Sequence, residues 1–225
     1  TVSDALSYEL ESGEALGIIG PNGAGKTSMF NLITGALPAD AGSIWFDGRD
    51  ITHMKAAKRC RSGIARSFQI PQPFGAMSVF ENALVAATQG AGLAGAQANR
   101  LCLDALEQTG LLAKANTLAG NLTLLERKRL ELTRALCAKP KLLLLDEIAG
   151  GLTEKECHAL VETIRAIRST GISIIWIEHI VHALLAVVDR LVVIDFGRKI
   201  AEGEPKAIMA SRQVREIYMG IEVDG

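Results

Sequence analysis

Between Gly20 and Thr27 the chain reads GPNGAGKT, residues whose types and spacing suit one task, the holding of phosphate groups. Its glycines leave backbone N–H groups free to converge on phosphate oxygens, and a helix that follows adds its positive end. Lys26 is placed to reach the β- and γ-phosphates of a nucleotide, and the Thr27 hydroxyl to ligate Mg2+. The predicted contact set is Gly20, Pro21, Asn22, Gly23, Ala24, Gly25, Lys26, Thr27 and Ser28. Downstream, LLLLDE (Leu142–Glu147) delivers two adjacent acids from the end of an apolar run, where ligands bind in parallel sheets. Asp146 is read as a holder of Mg2+, directly or through water, and Glu147 as the general base that polarises an attacking water. A third constellation, T-x-x-E from Thr123 to Glu126, precedes a helical run and reads as a capping box.

These groups need a frame that brings distant segments together. Short apolar runs alternate with helical patterns from end to end, which predicts an α/β fold with a largely parallel sheet. The candidate core strands are Ala15–Ile19, Ile64–Phe68, Leu142–Leu145, Ile172–Ile177 and Leu191–Ile194. The first of these, with the helical KTSMFNLITGAL, gives the phosphate motif its strand–loop–helix setting. SIWFDG (Ser43–Gly48) reads as an antiparallel strand entering a turn. Ala5–Leu10 is strand-like, and because the chain opens there without a methionine, further residues are expected before Thr1. From Ser78 to Lys139 the pattern is helical, interrupted by GAGLAG at Gly90–Gly95. The expected organisation is a single domain over 1–225, with an α/β core from 1–77 and 140–225 and an inserted helical subdomain from 78–139.

Composition narrows the function classes. With 48% hydrophobic and 22% charged residues, wholesale disorder and fibrous structure are excluded. A net charge of -1 argues against nucleic acid as a partner bound by broad phosphate neutralisation. No stretch approaches the ~18 uninterrupted apolar residues of a membrane span, so a membrane connection is expected to run through a partner. The four cysteines, Cys60, Cys102, Cys137 and Cys157, lie too far apart for a CxxC pair and read as reduced thiols of a cytosolic protein. Lys55, Lys58, Arg59, Arg61 and Arg66, at helical spacing, read as a solvated helix face.

The succession GPNGAGKT, SFQ (Ser67–Gln69), LTLLERKRLELTRAL, LLLLDE and IEH (Ile177–His179) strongly resembles the ATPase subunits of ATP-binding cassette (ABC) transporters, over practically the whole chain. GIARSFQ, VFENALVAA, RKRLELTRAL and DFGRKIAEG are most similar to the ATPases of branched-chain amino acid importers, with lipopolysaccharide-export ATPases as near relatives. The resemblance implies a RecA-like P-loop core with a mainly parallel sheet, an N-terminal antiparallel β portion and a helical subdomain carrying a signature sequence. It implies ATP and Mg2+ as ligands. Gln69 becomes the glutamine that senses Mg2+ and the γ-phosphate, its neutral amide able to ligate metal and orient water without a charge penalty. His179 becomes the switch histidine that contacts the γ-phosphate, although by residue type alone it reads as a helix cap, and Gln69 as a surface amide.

Thr123, Leu124, Leu125 and Glu126 align with the signature, which faces the nucleotide held by an opposing subunit. Thr123 supplies the hydroxyl of the usual LSGGQ serine, but the glycine pair that permits close backbone approach to phosphate is absent. A well-capped structural helix is the other reading of this segment. The stretch after Glu147 also departs from the family, with Ile148 where proline is common and Thr153 where an acid is expected.

Carried over from the family, the function is ATP hydrolysis that powers import of branched-chain amino acids or related small polar solutes, at the cytoplasmic face of the inner membrane. The implied partners are a second ATPase subunit in a heterodimer or a second copy in a homodimer, integral membrane permease subunits, and indirectly a periplasmic or extracellular solute-binding protein. A lipopolysaccharide-export-type ATPase and a soluble ABC nucleotide switch without permease are the alternatives. Phe74 and Met77, following Pro71 and Pro73, fit either a groove for a permease helix or core packing.

Overall fold

The computed structural model describes residues 6–219. Its strands are β1 (Ala15–Ile19), β2 (Trp45–Phe46), β3 (Arg49–Asp50), β4 (Ile64–Arg66), β5 (Leu142–Asp146), β6 (Ser173–Ile177), β7 (Arg190–Asp195) and β8 (Arg198–Gly203). Six of them form one sheet in the order β4-β5-β6-β1-β7-β8. The ladder is parallel from β4 to β7, and β8 closes it antiparallel to β7. Every residue of β1, β5 and β6 is buried, as continuous apolar runs in a sheet covered on both faces must be. β8, in RKIAEG, is a strand the sequence pattern did not announce, because its exposed edge carries charges in place of an apolar run.

The helices are α1 (Lys26–Thr34), α2 (Ala56–Arg61), α3 (Val79–Gln89), α4 (Gly95–Gln108), α5 (Leu124–Cys137), α6 (Glu154–Arg168), α7 (Val181–Leu185), α8 (Pro205–Ala210) and α9 (Arg212–Met219). One face of the sheet packs α1 through Met29, Phe30 and Ile33 against Leu16, Ile18 and Leu144. The other packs Leu132 and Leu136 of α5 and Leu160 and Ile164 of α6 against Leu143, Leu145 and Trp176. Ala83 and Ala87 of α3 and Cys102 of α4 belong to this same core, so the helical stretch is fused to the sheet through small side chains. All four cysteines are free.

The hairpin of β2 and β3 turns at Asp47 and Gly48, both left-handed at φ 52° and 72°, the conformation a two-residue hairpin loop selects. Leu6–Leu10 forms no strand, and Ala5 lies outside the described residues. Its alternation is nonetheless real, since Leu6, Tyr8 and Leu10 pack on the α1 side of the core without a sheet partner. The expected strand Ile64–Phe68 ends at Arg66, although the Ser67 N–H still donates to Leu144 O at 2.9 Å.

The basic run is not a uniformly solvated face. Lys55, Lys58 and Arg61 are exposed, but Arg59 is buried, its guanidinium donating to the carbonyls of Leu32 and Ile33 at 2.6 and 2.8 Å and of Met54 and Thr52 at 2.8 Å each. Leu32 and Ile33 lie in the last turn of α1, where the Leu32 carbonyl also accepts from the C-cap Gly35 N–H at 3.2 Å, and a buried cation gives both carbonyls a donor at the negative end of the helix. Arg59 therefore locks α2 to the end of the helix that starts at the phosphate loop.

Candidate active site

The loop from Gly20 to Gly25 joins β1 to α1. Gly20, at φ 156°, passes so close to β7 that an added Cβ would lie 2.0 Å from the Ile194 carbonyl oxygen. Gly25 enters α1 in the left-handed region at φ 97°, and neither position accepts a side chain without strain. The first turn of α1 carries no acid and its N-cap residue offers no side-chain acceptor, so its N–H groups are open to an anion.

Lys26 is buried, and its Nζ donates to the carbonyls of Gly20 and Pro21 at 2.7 and 2.9 Å. Burial pulls its pKa down, while the carboxylates of Glu147 and Asp146 push it back up. The ammonium thus sits in the field of both predicted acids. Asn22, Gly23 and Thr27 are exposed, Pro21, Gly25 and Ser28 half-buried, and Ala24 buried.

Asp146 closes β5 and is buried, accepting from Arg66 Nη2 at 2.5 Å. Arg66 also donates to Asn31 Oδ1 of α1 at 2.7 Å, and its guanidinium lies 5.4 Å from the Phe30 ring centroid and 5.1 Å from that of Phe68. Far from being part of a solvated face, Arg66 is held between two aromatic rings against an acid of the site.

Glu147 leaves the sheet at φ 47°, a left-handed conformation uncommon for any residue but glycine, with its N–H donating to Ile177 O at 2.8 Å. Strain of this kind gathers at functional sites, where the surroundings hold it in place. The turn aims the carboxylate across the end of the neighbouring β6, where His179 Nε2 lies 2.8 Å from Oε1. Gln69 Nε2 donates to the other oxygen, Oε2. Gln69, Glu147 and His179, predicted from three separate segments, therefore meet at one carboxylate.

The donors available to a cation are the Asp146 carboxylate, the Thr27 hydroxyl and the Gln69 amide oxygen, all hard ligands that fit Mg2+. Among the described residues no group of three or more His, Cys, Asp or Glu forms a dedicated metal cage. That also fits Mg2+, which keeps several waters and is held by one or two carboxylates together with substrate phosphates.

The signature segment stands apart from this group. Thr123 and Glu126 form the expected capping box at the start of α5, with Glu126 Oε2 accepting from Thr123 N–H at 2.9 Å, and Glu126 also pairs with Lys114 at 2.5 Å. None of their hydrogen bonds reaches the phosphate loop of this chain. Leu124 is exposed, and its Cδ2 would lie 3.3 Å from a Cβ built on Gly151. Thr153, where the family has an acid, is instead the N-cap of α6 and forms a capping box with Glu156. Phe74 and Met77 are both exposed, so core packing is not their role, and the Arg134 guanidinium lies 5.1 Å from the Phe74 ring.

Sequence reasoning missed Arg59, Arg66 and Glu178. The first two were hidden in a basic run, and Glu178 was passed over beside His179. The available signal was an acid at the end of WIE, continuing a run of five apolar or small residues into the core.

Comparison with known proteins meets this geometry from the other side. Residues 3–150, which include the phosphate loop, Gln69, Asp146 and Glu147, match the family model described as ABC transporter. The high-affinity branched-chain amino acid transport ATP-binding protein LivG of Salmonella typhimurium is 36% identical over 96% of this chain and 90% of its own. The lipopolysaccharide export system ATP-binding protein LptB of Escherichia coli is 32% identical over 97% and 91%. The solved ADP conformation of MJ1267, an ATP-binding cassette of an ABC transporter, superposes with a TM-score of 0.89 at 32% identity, covering 98% of this chain and 93% of that one. A phosphate loop, an Asp–Glu pair at the end of a central strand, and family, relatives and fold in agreement over nearly the whole length leave one assignment: this chain belongs to the ABC transporter family, as an ATP-hydrolysing subunit.

Proposed function

We propose that this chain hydrolyses ATP at the carboxylate of Glu147 and that the cycle of binding and hydrolysis drives a membrane permease. The observation that carries the reading is the convergence of Gln69 and His179 on Glu147, beside Asp146 and the buried Lys26. Lys26 and the N–H groups of the loop and of α1 hold the β- and γ-phosphates. Thr27, Asp146 and Gln69 hold Mg2+, which when bound neutralises phosphate charge. Glu147 takes the proton of the attacking water, and the His179 imidazole, 2.8 Å away, orients that carboxylate and contacts the γ-phosphate. Gln69 lies next to the exposed Phe68 and Ile70, so loss of the γ-phosphate contact is felt at an apolar surface suited to a permease.

The solute reading is import of branched-chain amino acids or related small polar solutes, supported by the likeness to LivG. Lipopolysaccharide export is the second reading, supported by LptB at similar identity and coverage. Among the described residues no helix is long and apolar enough to cross a membrane; a peripheral place at the cytoplasmic face, attached through the permease, is read from the likeness to LivG and LptB. Residues 78–139 are read as the subdomain that carries Thr123–Glu126 to the nucleotide of an opposing ATPase. Because Leu124 and Leu125 replace the glycine pair, the partner is read as a different ATPase with a glycine-containing signature. Reconstitution of the chain with its permease tests the whole: ATP-dependent uptake of leucine supports import, and ATP turnover that never depends on the permease overturns the reading.

A further inference from the structure

Glu178, the residue after β6, is 1% exposed and has both carboxylate oxygens engaged by backbone N–H groups of two different loops. Oε2 accepts from Ala149 N–H at 3.0 Å, in the turn that follows Glu147. Oε1 accepts from His179 N–H at 3.0 Å and Ile180 N–H at 3.4 Å, in the segment that carries the imidazole. One buried carboxylate therefore bridges the backbone on either side of the Glu147–His179 contact. A carboxylate in the interior needs hydrogen bonds or an opposite charge: the three N–H groups supply the bonds, and the buried Lys128 of α5 acts on Glu178 and Glu147 only through its electrostatic field.

We propose that Glu178 is a positioning residue for ATP hydrolysis: its carboxylate ties the turn after Glu147 to the loop that carries His179 and so sets the geometry between them. The inference rests on the reading of Glu147 as the base. The φ of 47° at Glu147 needs restraint from its surroundings, and two bonds give it, Glu147 N–H to Ile177 O on one side and Ala149 N–H to Glu178 on the other. Both oxygens must be acceptors. In Glu178→Gln one of them becomes an NH2 group that faces N–H donors whichever way the amide is turned.

The test measures kcat and KM for ATP, affinity for a fluorescent ATP analogue, and amide hydrogen exchange at Ala149, His179 and Ile180. It compares wild type, Glu178→Gln, Glu178→Asp and Glu147→Gln in the assembled transporter. Misplacement of catalytic groups by about 1 Å costs on the order of 10²-fold. Glu178→Gln is expected to lose kcat on that scale with analogue affinity within about twofold of wild type, and to exchange those three amides faster. Glu178→Asp, milder for folding, keeps both acceptors and is expected to fall between Gln and wild type, again at unchanged affinity. Wild-type kcat in both Glu178 variants, or loss of affinity in step with kcat, overturns the proposal. If Glu147→Gln also turns over at the wild-type rate, it is the reading of the site itself that fails.

Discussion

His179 Nε2 lies 2.8 Å from Glu147 Oε1, across the ends of two adjacent parallel strands whose last paired residues are Ile177 and Asp146. The pairing register fixes this relationship: each strand runs one or two residues past the sheet, and the left-handed turn at Glu147 swings its side chain toward β6. On the proposed mechanism, a carboxylate and an imidazole so placed would act on one water or one phosphate oxygen. His179→Ala is expected to lower ATP turnover by about 10²-fold or more, with ATP affinity little changed. Single-turnover assays check this, and an unaltered rate would remove His179 from the site.

Lys26→Ala is expected to act differently. It removes the cation that lies against the phosphate loop, so nucleotide binding itself falls. Titration with a fluorescent ATP analogue measures this, and equal affinity for wild type and variant would refute the phosphate-loop assignment.

Arg59→Met is expected to lower unfolding stability by roughly 3 kcal/mol, because the carbonyls of Leu32, Ile33, Met54 and Thr52 lose a buried donor. Denaturant unfolding checks the magnitude, and a loss under about 1 kcal/mol would mean that water replaces the guanidinium at the end of α1.

How much of this was legible beforehand depended on whether a residue's neighbours in sequence were also its neighbours in space. GPNGAGKT was legible because the motif, its strand and its helix are contiguous. The Asp–Glu pair was legible because LLLLDE announces a buried strand with acids at its end. The capping box at Thr123 and the turn at Asp47–Gly48 are local hydrogen-bond patterns and follow from local residue types. Arg59 and Arg66 were misread because their partners, the end of α1 and the end of β5, are distant in the chain, and nothing local distinguishes a buried arginine from a solvated one. Gln69 and His179 were identified by resemblance, and their meeting at Glu147 is a product of strand order. Leu6–Leu10 shows the opposite limit, an alternating pattern whose apolar side chains pack half-buried on the core with no strand paired to it among the described residues.

Asymmetry gives a further prediction. On the proposed reading this chain uses Lys26, Thr27, Gln69, Asp146, Glu147 and His179 for its own nucleotide and would present Leu124 and Leu125 to the one held by an opposing subunit. In an assembled transporter with two different ATPases, Glu147→Gln here is expected to depress hydrolysis more than the matching change in the partner. Equal losses, or a native complex with two copies of this chain and no second ATPase, would refute the asymmetric arrangement.

The central claim, that Glu147 is the base for ATP hydrolysis, is tested most directly by measuring ATP turnover and bound ATP in the same preparation of the Glu147→Gln variant in its transporter. The substitution keeps the shape of the side chain while removing the proton acceptor. Turnover about 10²- to 10⁴-fold below wild type, with ATP retained unhydrolysed at the site, is the predicted result. Turnover within a few-fold of wild type, or loss of bound ATP along with activity, would contradict it.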